Sequence, residues 1–459
     1  LRPAPAVRRL RARGGGGEQA GVIPTGHRCS MLRTNDVFGV SRKILNYSYI
    51  DRGNLDSRIR TLLDRDTHIA LRGESKCGKS WLRQKNQPNA AVVQCRLNKT
   101  VSDLYVDALS QLGLTLKQQE TRQRSFSGTL EASTEAGLKV LAKLQGRLGL
   151  RGDYTTSETE IRIGENVDNL RFVADALLES GRRLVIEDFH YLPTEERRLF
   201  ATDLKAFWDY GVFVTIIGIW AQNNLMLHLN PDLAGRVEEL SIFWSNQELR
   251  EVIDKGSEAL KIELDRKTVS CMIDDSFGTV GILQKLALAT LDELGVTSGE
   301  EGFRSFEAKR AYEAYEASAL GYAEQLNALY QTFAQRIAKG IRQRTNATGI
   351  YAHMLKSVME SDDDALQRGL HVDEIFRTAS TREPRIQKPN LRQILRQIDR
   401  LQVDPEGRGL VLTYDETKDE VSVVDKQLFL YRKYSTVKWP WEGMIADVHP
   451  DDTAFRGDE

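Results

Sequence analysis

Short, fully apolar runs separated by amphipathic stretches dominate residues 68 to 243. HIALRG (68–73), AAVVQCRL (90–97), RRLVIED (182–188) and FVTIIGIW (213–220) each hold consecutive apolar side chains with little alternation, and VEELSIF (237–243) reads as a short fifth strand. A strand covered on both faces has this pattern, as in a parallel sheet. The intervening segments have helical period. SRIRTLLDR leads into the first strand, and VSDLYVDALSQLGL places Leu104, Ala108, Leu109 and Leu112 on one face. Residues 169–179 form a further helical pattern. Strand–helix alternation predicts an α/β fold, a parallel sheet covered by helices.

The pattern changes outside this region. Residues 115–165 are polar and rich in Ser, Thr and Glu around a helical middle, EAGLKVLAKLQ, and read as an insertion or mobile segment. Ser245 and Glu248 form an S-x-x-E capping box that opens a helix. Residues 246–340 show no further convincing strand, and Phe306 to about Gly340 is a long Ala-rich helix. TGIYAHMLKSVME and HVDEIFRTAS predict two more helices. NLRQILRQIDRLQV predicts a third, with Asn390 as its cap after Pro389. GLVLTY and EVSVVD then alternate at period 2 around DETKDE, a β-hairpin pattern. Three helices followed by a hairpin is the winged-helix order. The expected division is therefore a leader over 1–30 and a core over 31–245 that contains the insertion. A helical lid and linker over 246–340, a winged-helix domain over 341–440 and a loose acidic tail over 441–459 complete it.

Composition adds limits. A chain of 459 residues suggests two or three domains. The net charge of -1 excludes a whole-chain attraction to nucleic acid, so any such affinity needs a local patch. No apolar run approaches the roughly 18–20 residues that span a bilayer, and no membrane partner is expected. Cys29, Cys77, Cys95 and Cys271 form no CxxC pair or Cys/His zinc spacing, which suggests a reduced, cytoplasmic chain. The histidines do not cluster with acids or cysteines at metal spacing. The first thirty residues, rich in Arg, Gly and Pro, cannot bury an apolar face and look foreign to the rest; Met31 reads as the natural start.

The chemistry sits after the first strand. Gly73-Glu74-Ser75-Lys76-Cys77-Gly78-Lys79-Ser80 fits GxxxxGK[ST] in full, between a buried strand and a helix. Glycines let backbone N–H groups turn inward around phosphates, and the helix N-terminus adds partial positive charge. Lys79 is placed to reach the β- and γ-phosphates of ATP, and the Ser80 hydroxyl to coordinate Mg²⁺. LVIEDFHYL supplies the acidic strand end: by position Glu187 would hold Mg²⁺ through water and Asp188 would orient the attacking water. Cys77 is either a small residue that fits the loop or a redox brake on nucleotide binding.

YIDRGNLDSRI, ALRGESKCGKS, LVIEDFH, VTIIGIW and PDLAGRVEELSIFWSNQEL together resemble STAND and origin-initiator-type AAA+ ATPases, over roughly residues 45–290. The resemblance implies that the aromatic–acidic–Arg stretch borders an adenine pocket. It also implies that Arg236 senses the γ-phosphate, often across a subunit boundary, and hence that the chain forms homo-oligomers on ATP. A polar sensor after the fourth strand would be Gln222, Asn223 or Asn224, and Lys285 is a candidate at the lid position. Related ATPases more often put Asp before Glu at the acidic strand end. The Glu187–Asp188 order therefore leaves slow hydrolysis, or binding used as a switch, open.

In the third C-terminal helix Leu391, Ile394, Leu395, Ile398 and Leu401 make the buried stripe, while Arg392, Arg396 and Arg400 recur every four residues on another face. Arg on such a helix can contact DNA. A solvated face, or an internal or protein-binding role, fits the same residues. The expected function is an ATP-binding and ATP-hydrolysing switch that couples nucleotide state to oligomerisation or partner binding, with the effector on a separate protein. The resemblance implies a setting in bacterial phage defence. The alternatives are a DNA-binding ATPase that loads another nucleic-acid machine, and a nucleotide-bound scaffold with negligible turnover.

Overall fold

The structure is a computed structural model that describes residues 31–118, 128–148, 160–163, 169–220, 223–299, 302–340, 349–402 and 410–448. The leader over 1–30, Gln222, parts of the insertion and the tail beyond 448 lie outside the described residues.

Five strands form the central sheet: β1 His68–Gly73, β2 Ala91–Gln94, β3 Leu184–Glu187, β4 Val214–Gly218 and β5 Val237–Ile242. Their order is β2-β3-β4-β1-β5, and every pair is parallel. The unbroken apolar runs are explained by cover on both faces. Ala70, Ile186 and Ile216 pack with the helices Val101–Gln111, Asn169–Ser180 and Thr194–Asp209. Ile69, Leu71, Val185 and Ile217 face the opposite layer, with Ile59 and Leu82. Alternate residues of one strand thus serve two cores. The fold is the expected one, a helix-covered parallel sheet carrying a phosphate loop after its first strand.

The insertion is more ordered than its polarity suggests. Leu114–Gln118, Gly128–Ala132 and Glu160–Ile163 form an antiparallel three-stranded sheet, and Glu135–Leu148 is the expected helix. Leu130 lies in register with both Leu116 and Ile161. Strands this short, with Thr, Lys and Glu at alternate positions, carry too few apolar residues to stand out by period.

Beyond β5 the Ser245–Glu248 capping box is made in full and starts the helix Asn246–Leu260. The helices Arg266–Asp274, Val280–Glu293 and Ala308–Lys339 follow. One small departure is a two-residue parallel bridge, Ile262–Glu263 with Arg304–Ser305. The C-terminal module has the helices Ile350–Met359, Asp363–Arg368, Val372–Arg382, Lys388–Leu395 and Ile398–Gln402. Its three strands run in the order Leu370–His371, Glu420–Val423, Leu412–Asp415, the last two forming the expected hairpin. Asn390 is not the cap: Gln387 holds that position, and Pro389 sits in the first turn, where a missing N–H costs nothing. The tail is also not loose at its start. Pro440–Val448 is a helix, and Trp441, 2% exposed, stacks on Trp439 at 4.5 Å.

The lid helices and the C-terminal module share one hydrophobic core. It runs from Leu249 and Leu283 through Tyr330 and Phe333 to Leu355, Leu391, Phe429 and Trp441. Residues 33–48 join it from the other end of the chain. Phe38 packs against Gly256, Thr34 bonds to the Thr297 carbonyl, and Gln284 accepts from the Gly39 N–H at 3.0 Å.

Candidate functional site

At the carboxyl edge of the sheet, β1 ends at Gly73 and the helix Lys79–Asn86 begins six residues after it. Lys76 (φ 59°) and Gly78 (φ 91°) take left-handed backbone, which turns the loop around a small concavity. A Cβ on Gly73 would stand 2.6 Å from Cys77 Sγ and 3.1 Å from Ile242 Cβ, so only glycine fits the start of the turn. Cys77 is buried, whereas Ser75 is half-buried and Lys76 and Ser80 are exposed. The Lys79 ammonium donates to the carbonyls of Gly73, at 2.8 Å, and of Glu74. A full cation is thus held across the loop by neutral acceptors. Together with the inward-turned backbone and the helix N-terminus, this donor set suits a polyphosphate.

β3 delivers the acidic pair. Glu187 is buried, and its carboxylate accepts from Arg83 Nε at 3.1 Å, so it is tied to the phosphate-loop helix. Asp188 follows with φ 59°. Burial and the neighbouring Glu187 push its carboxyl pKa up, and the Lys79 charge pulls against them. His190 is buried beside this pair; burial, Lys79 and Arg197 drive its pKa down to about 3, so it is neutral. Among the described residues no cluster of three or more His, Cys, Asp or Glu has metal-site geometry. Ser80 together with the acidic strand end is nevertheless the hard-oxygen combination that a phosphate-bound Mg²⁺ uses.

The other expected residues fall at varied distances from the loop. Arg236 directly precedes β5 and so stands at the amino edge of the sheet, the opposite end from Gly73. It donates to the Asp232 carbonyl and stacks over Trp208 at 4.9 Å. It does not reach the phosphate loop of its own chain. Glu239 pairs with Arg72 at 3.6 Å rather than with Arg236. Asn224 has left-handed backbone and donates its N–H to Glu239, and Asn223 is exposed. Lys285 donates to Gln325 at 2.8 Å and sits over Tyr322 at 3.8 Å, turned toward the long helix.

The expected single helix breaks after Leu395; Arg392 pairs with Asp419, and Arg396, the C-cap at the break, with Glu416 at 3.1 Å, so two of the three arginines are paired with the hairpin turn. Arg400 is exposed.

Several residues around the loop were not singled out by sequence. Arg52, 8% exposed, stacks on Trp244 at 4.2 Å, and its Nε and Nη2 have no hydrogen-bond partner. Its Nη1 would be 3.4 Å from a Cβ on Gly78, so it lies against the loop. Trp244 donates to the Cys77 carbonyl at 2.9 Å. The lid touches the loop through the Gly281 N–H, which donates to the Lys76 carbonyl at 3.1 Å. The C-terminal module touches it through Lys426, paired with Glu74 at 2.8 Å and donating to the Phe277 carbonyl at 3.0 Å. Arg52 has a sequence signal in YIDRGNL, and Lys426 one as a basic residue after the hairpin; the contacts themselves are set by folding.

No family model matches the chain, and no curated protein matches it. Solved structures resemble it in outline. Aeropyrum pernix Orc1, in complex with DNA, is 11% identical with a TM-score of 0.34, over 86% of this chain and 92% of that one. A signal transduction ATPase (STAND) with a tetratricopeptide repeat sensor from Pyrococcus horikoshii is 11% identical with a TM-score of 0.33, over 90% of this chain and 45% of its own. AMPPCP-bound DnaA from Aquifex aeolicus is 12% identical with a TM-score of 0.33, over 77% and 89%. Likeness this slight does not bear on function, and the fold stands on its own strand order and register.

Proposed function

We propose that this chain binds Mg-ATP at Gly73–Ser80 and works as a nucleotide-driven switch, with hydrolysis resetting it. One observation carries the reading: the phosphate loop is gripped from two sides, by the lid through Gly281 and Lys76 and by the C-terminal module through Lys426 and Glu74. A polyphosphate would compete with the Gly73 and Glu74 carbonyls for Lys79 and shift the loop that both grips hold. Bound Mg²⁺ would supply charge neutralisation of the phosphates, with Ser80 and the acidic strand end as its protein oxygens. Asp188, which lies within electrostatic reach of Lys79, is the residue to orient an attacking water. Arg236 can act on a nucleotide only in a neighbouring copy, which fits homo-oligomerisation on ATP.

The test measures ATP binding, phosphate release and native mass together, with and without duplex DNA. We expect Lys79→Ala to lose nucleotide binding. Asp188→Asn should bind but release phosphate at least tenfold more slowly, and Arg236→Ala should bind without assembling. If wild type binds no ATP under any of these conditions, the switch reading fails. Turnover that needs DNA and falls steeply with salt would replace it with the DNA-loading reading. Within the proposal, phage defence is the biological setting: Lys79→Ala should abolish any protection the intact chain gives to cells challenged with phage.

A further inference from the structure

The amino edge of the sheet, opposite the phosphate loop, holds a second concavity. It is a cleft of about 420 Å³, within the size range of small-molecule sites. The residues that line it directly precede three strands: Ala90 before β2, Arg183 before β3 and Phe213 before β4. The roof is the end of the helix Lys79–Asn86 with its C-cap Gln87. Leu63, Leu177, Leu178, Val212 and Phe213 give it apolar walls.

The polar groups of the cleft are unbalanced. Two arginines line it and no acidic residue does. Each nitrogen of the Arg182 guanidinium is engaged, donating to the carbonyls of Asn89, Ala90 and Gln111. In Arg183 this is not so. Its Nη2 donates to the Thr67 carbonyl at 2.5 Å, its guanidinium lies 5.9 Å from the Phe213 ring centre, and its Nε is buried without a partner. No carboxylate pairs with it among the described residues. Burial pushes its pKa down to about 10, so it is still a cation at neutral pH. Gln87, 6% exposed, accepts from the Thr215 hydroxyl at 3.1 Å, while its Nε2 has no partner. The cleft is therefore lined by a cation without a counter-ion among the described residues.

We propose that the cleft is a binding site for a small organic acid. The carboxylate pairs with Arg183, and an apolar body lies against Leu177, Val212 and Phe213. A carboxylate supplies the counter-ion that Arg183 lacks, and the apolar walls favour an acid with a hydrocarbon or aryl body over inorganic phosphate. The site is separate from the nucleotide: the six-residue β1 sets the two ends of the sheet about 20 Å apart.

Phenylacetate serves as the probe, with benzyl alcohol and inorganic phosphate as controls, each titrated into the full chain by calorimetry or ligand-observed NMR. Saturable binding of phenylacetate, weakened at least tenfold by Arg183→Met and blocked by Leu178→Trp, is the expected result. Leu178 is 39% exposed at the rim, so that substitution fills the cleft without entering a core. ATP should not displace the probe, and Lys79→Ala should bind it as wild type does. The proposal is overturned if phenylacetate shows no saturation up to about 10 mM, or if both variants bind it unchanged. Displacement by ATP, or equal affinity for phosphate or benzyl alcohol, would overturn it as well.

Discussion

His68 shows how one side chain reports on the packing of the sheet. It opens β1 fully buried, its Nδ1 accepting the Val214 N–H at 2.9 Å while Nε2 donates to the Leu204 carbonyl at 2.9 Å. A second ring proton would face the Val214 N–H, so the neutral form is built in. Burial is the main cause, with Arg183 adding to it, and the pKa falls to about 4. An unfolded histidine titrates near about 6.5. The unfolded chain therefore binds more protons than the folded one between these values. Stability from this group is complete above the upper value and is lost as pH falls through the window, by up to about 1.4 kcal/mol per pH unit. Urea unfolding at a series of pH values should show this loss, with a shallower slope in His68→Gln. A folded-state His68 resonance that titrates near neutrality would contradict the assignment. At this scale the phosphate loop was legible, because its chemistry needs glycine, lysine and a hydroxyl at fixed spacing. The contacts of Arg83 and Lys426 were not legible, since their partners Glu187 and Glu74 lie far away in sequence and are brought near only by packing.

Elements were read best where burial imposes a pattern. Four of the five core strands announce themselves by apolar runs, and the Ser245–Glu248 box by two residues at fixed spacing. Ser245→Ala should cost about 1 kcal/mol in a denaturant titration. No change would mean the box is spare. The inserted sheet escaped notice because its strands are short and carry polar residues at alternate positions. Asn390 was misplaced because a cap and a proline compete for neighbouring positions, and Pro389 inside the first turn pushes the cap back to Gln387. Gly256 had no sequence signal at all, yet a Cβ there would lie 2.2 Å from Phe38 Cζ. Gly256→Ala should cost about 1–3 kcal/mol through overpacking, although alanine is the better helix former. An equal or raised melting temperature would show that Phe38 can step aside.

For the whole molecule, the Lys426–Glu74 pair is the bolt between the C-terminal module and the phosphate loop, at 13% and 28% side-chain exposure. Lys426→Ala should speed amide exchange over Gln427–Tyr434 several-fold and leave the central sheet protected. Uniform acceleration, or none, would show that the pair does not hold the module. Because lid and module share one core, they are expected to move as one body, with Trp244 and the Cys77 carbonyl near the pivot.

The same core has a consequence for how the chain is made. Residues 33–48 leave the ribosome well before their partners, for Phe38 seats on Gly256, Thr34 on Thr297 and Gly39 on Gln284. This segment has no such partner until Gly256, Gln284 and Thr297 have been synthesised, and only then can it close over helices that did not exist when it emerged. Contacts this distant slow folding and leave apolar surface exposed in the interval. A nascent chain halted before residue 249 would therefore carry Val37 and Phe38 bare, a ready handle for a chaperone.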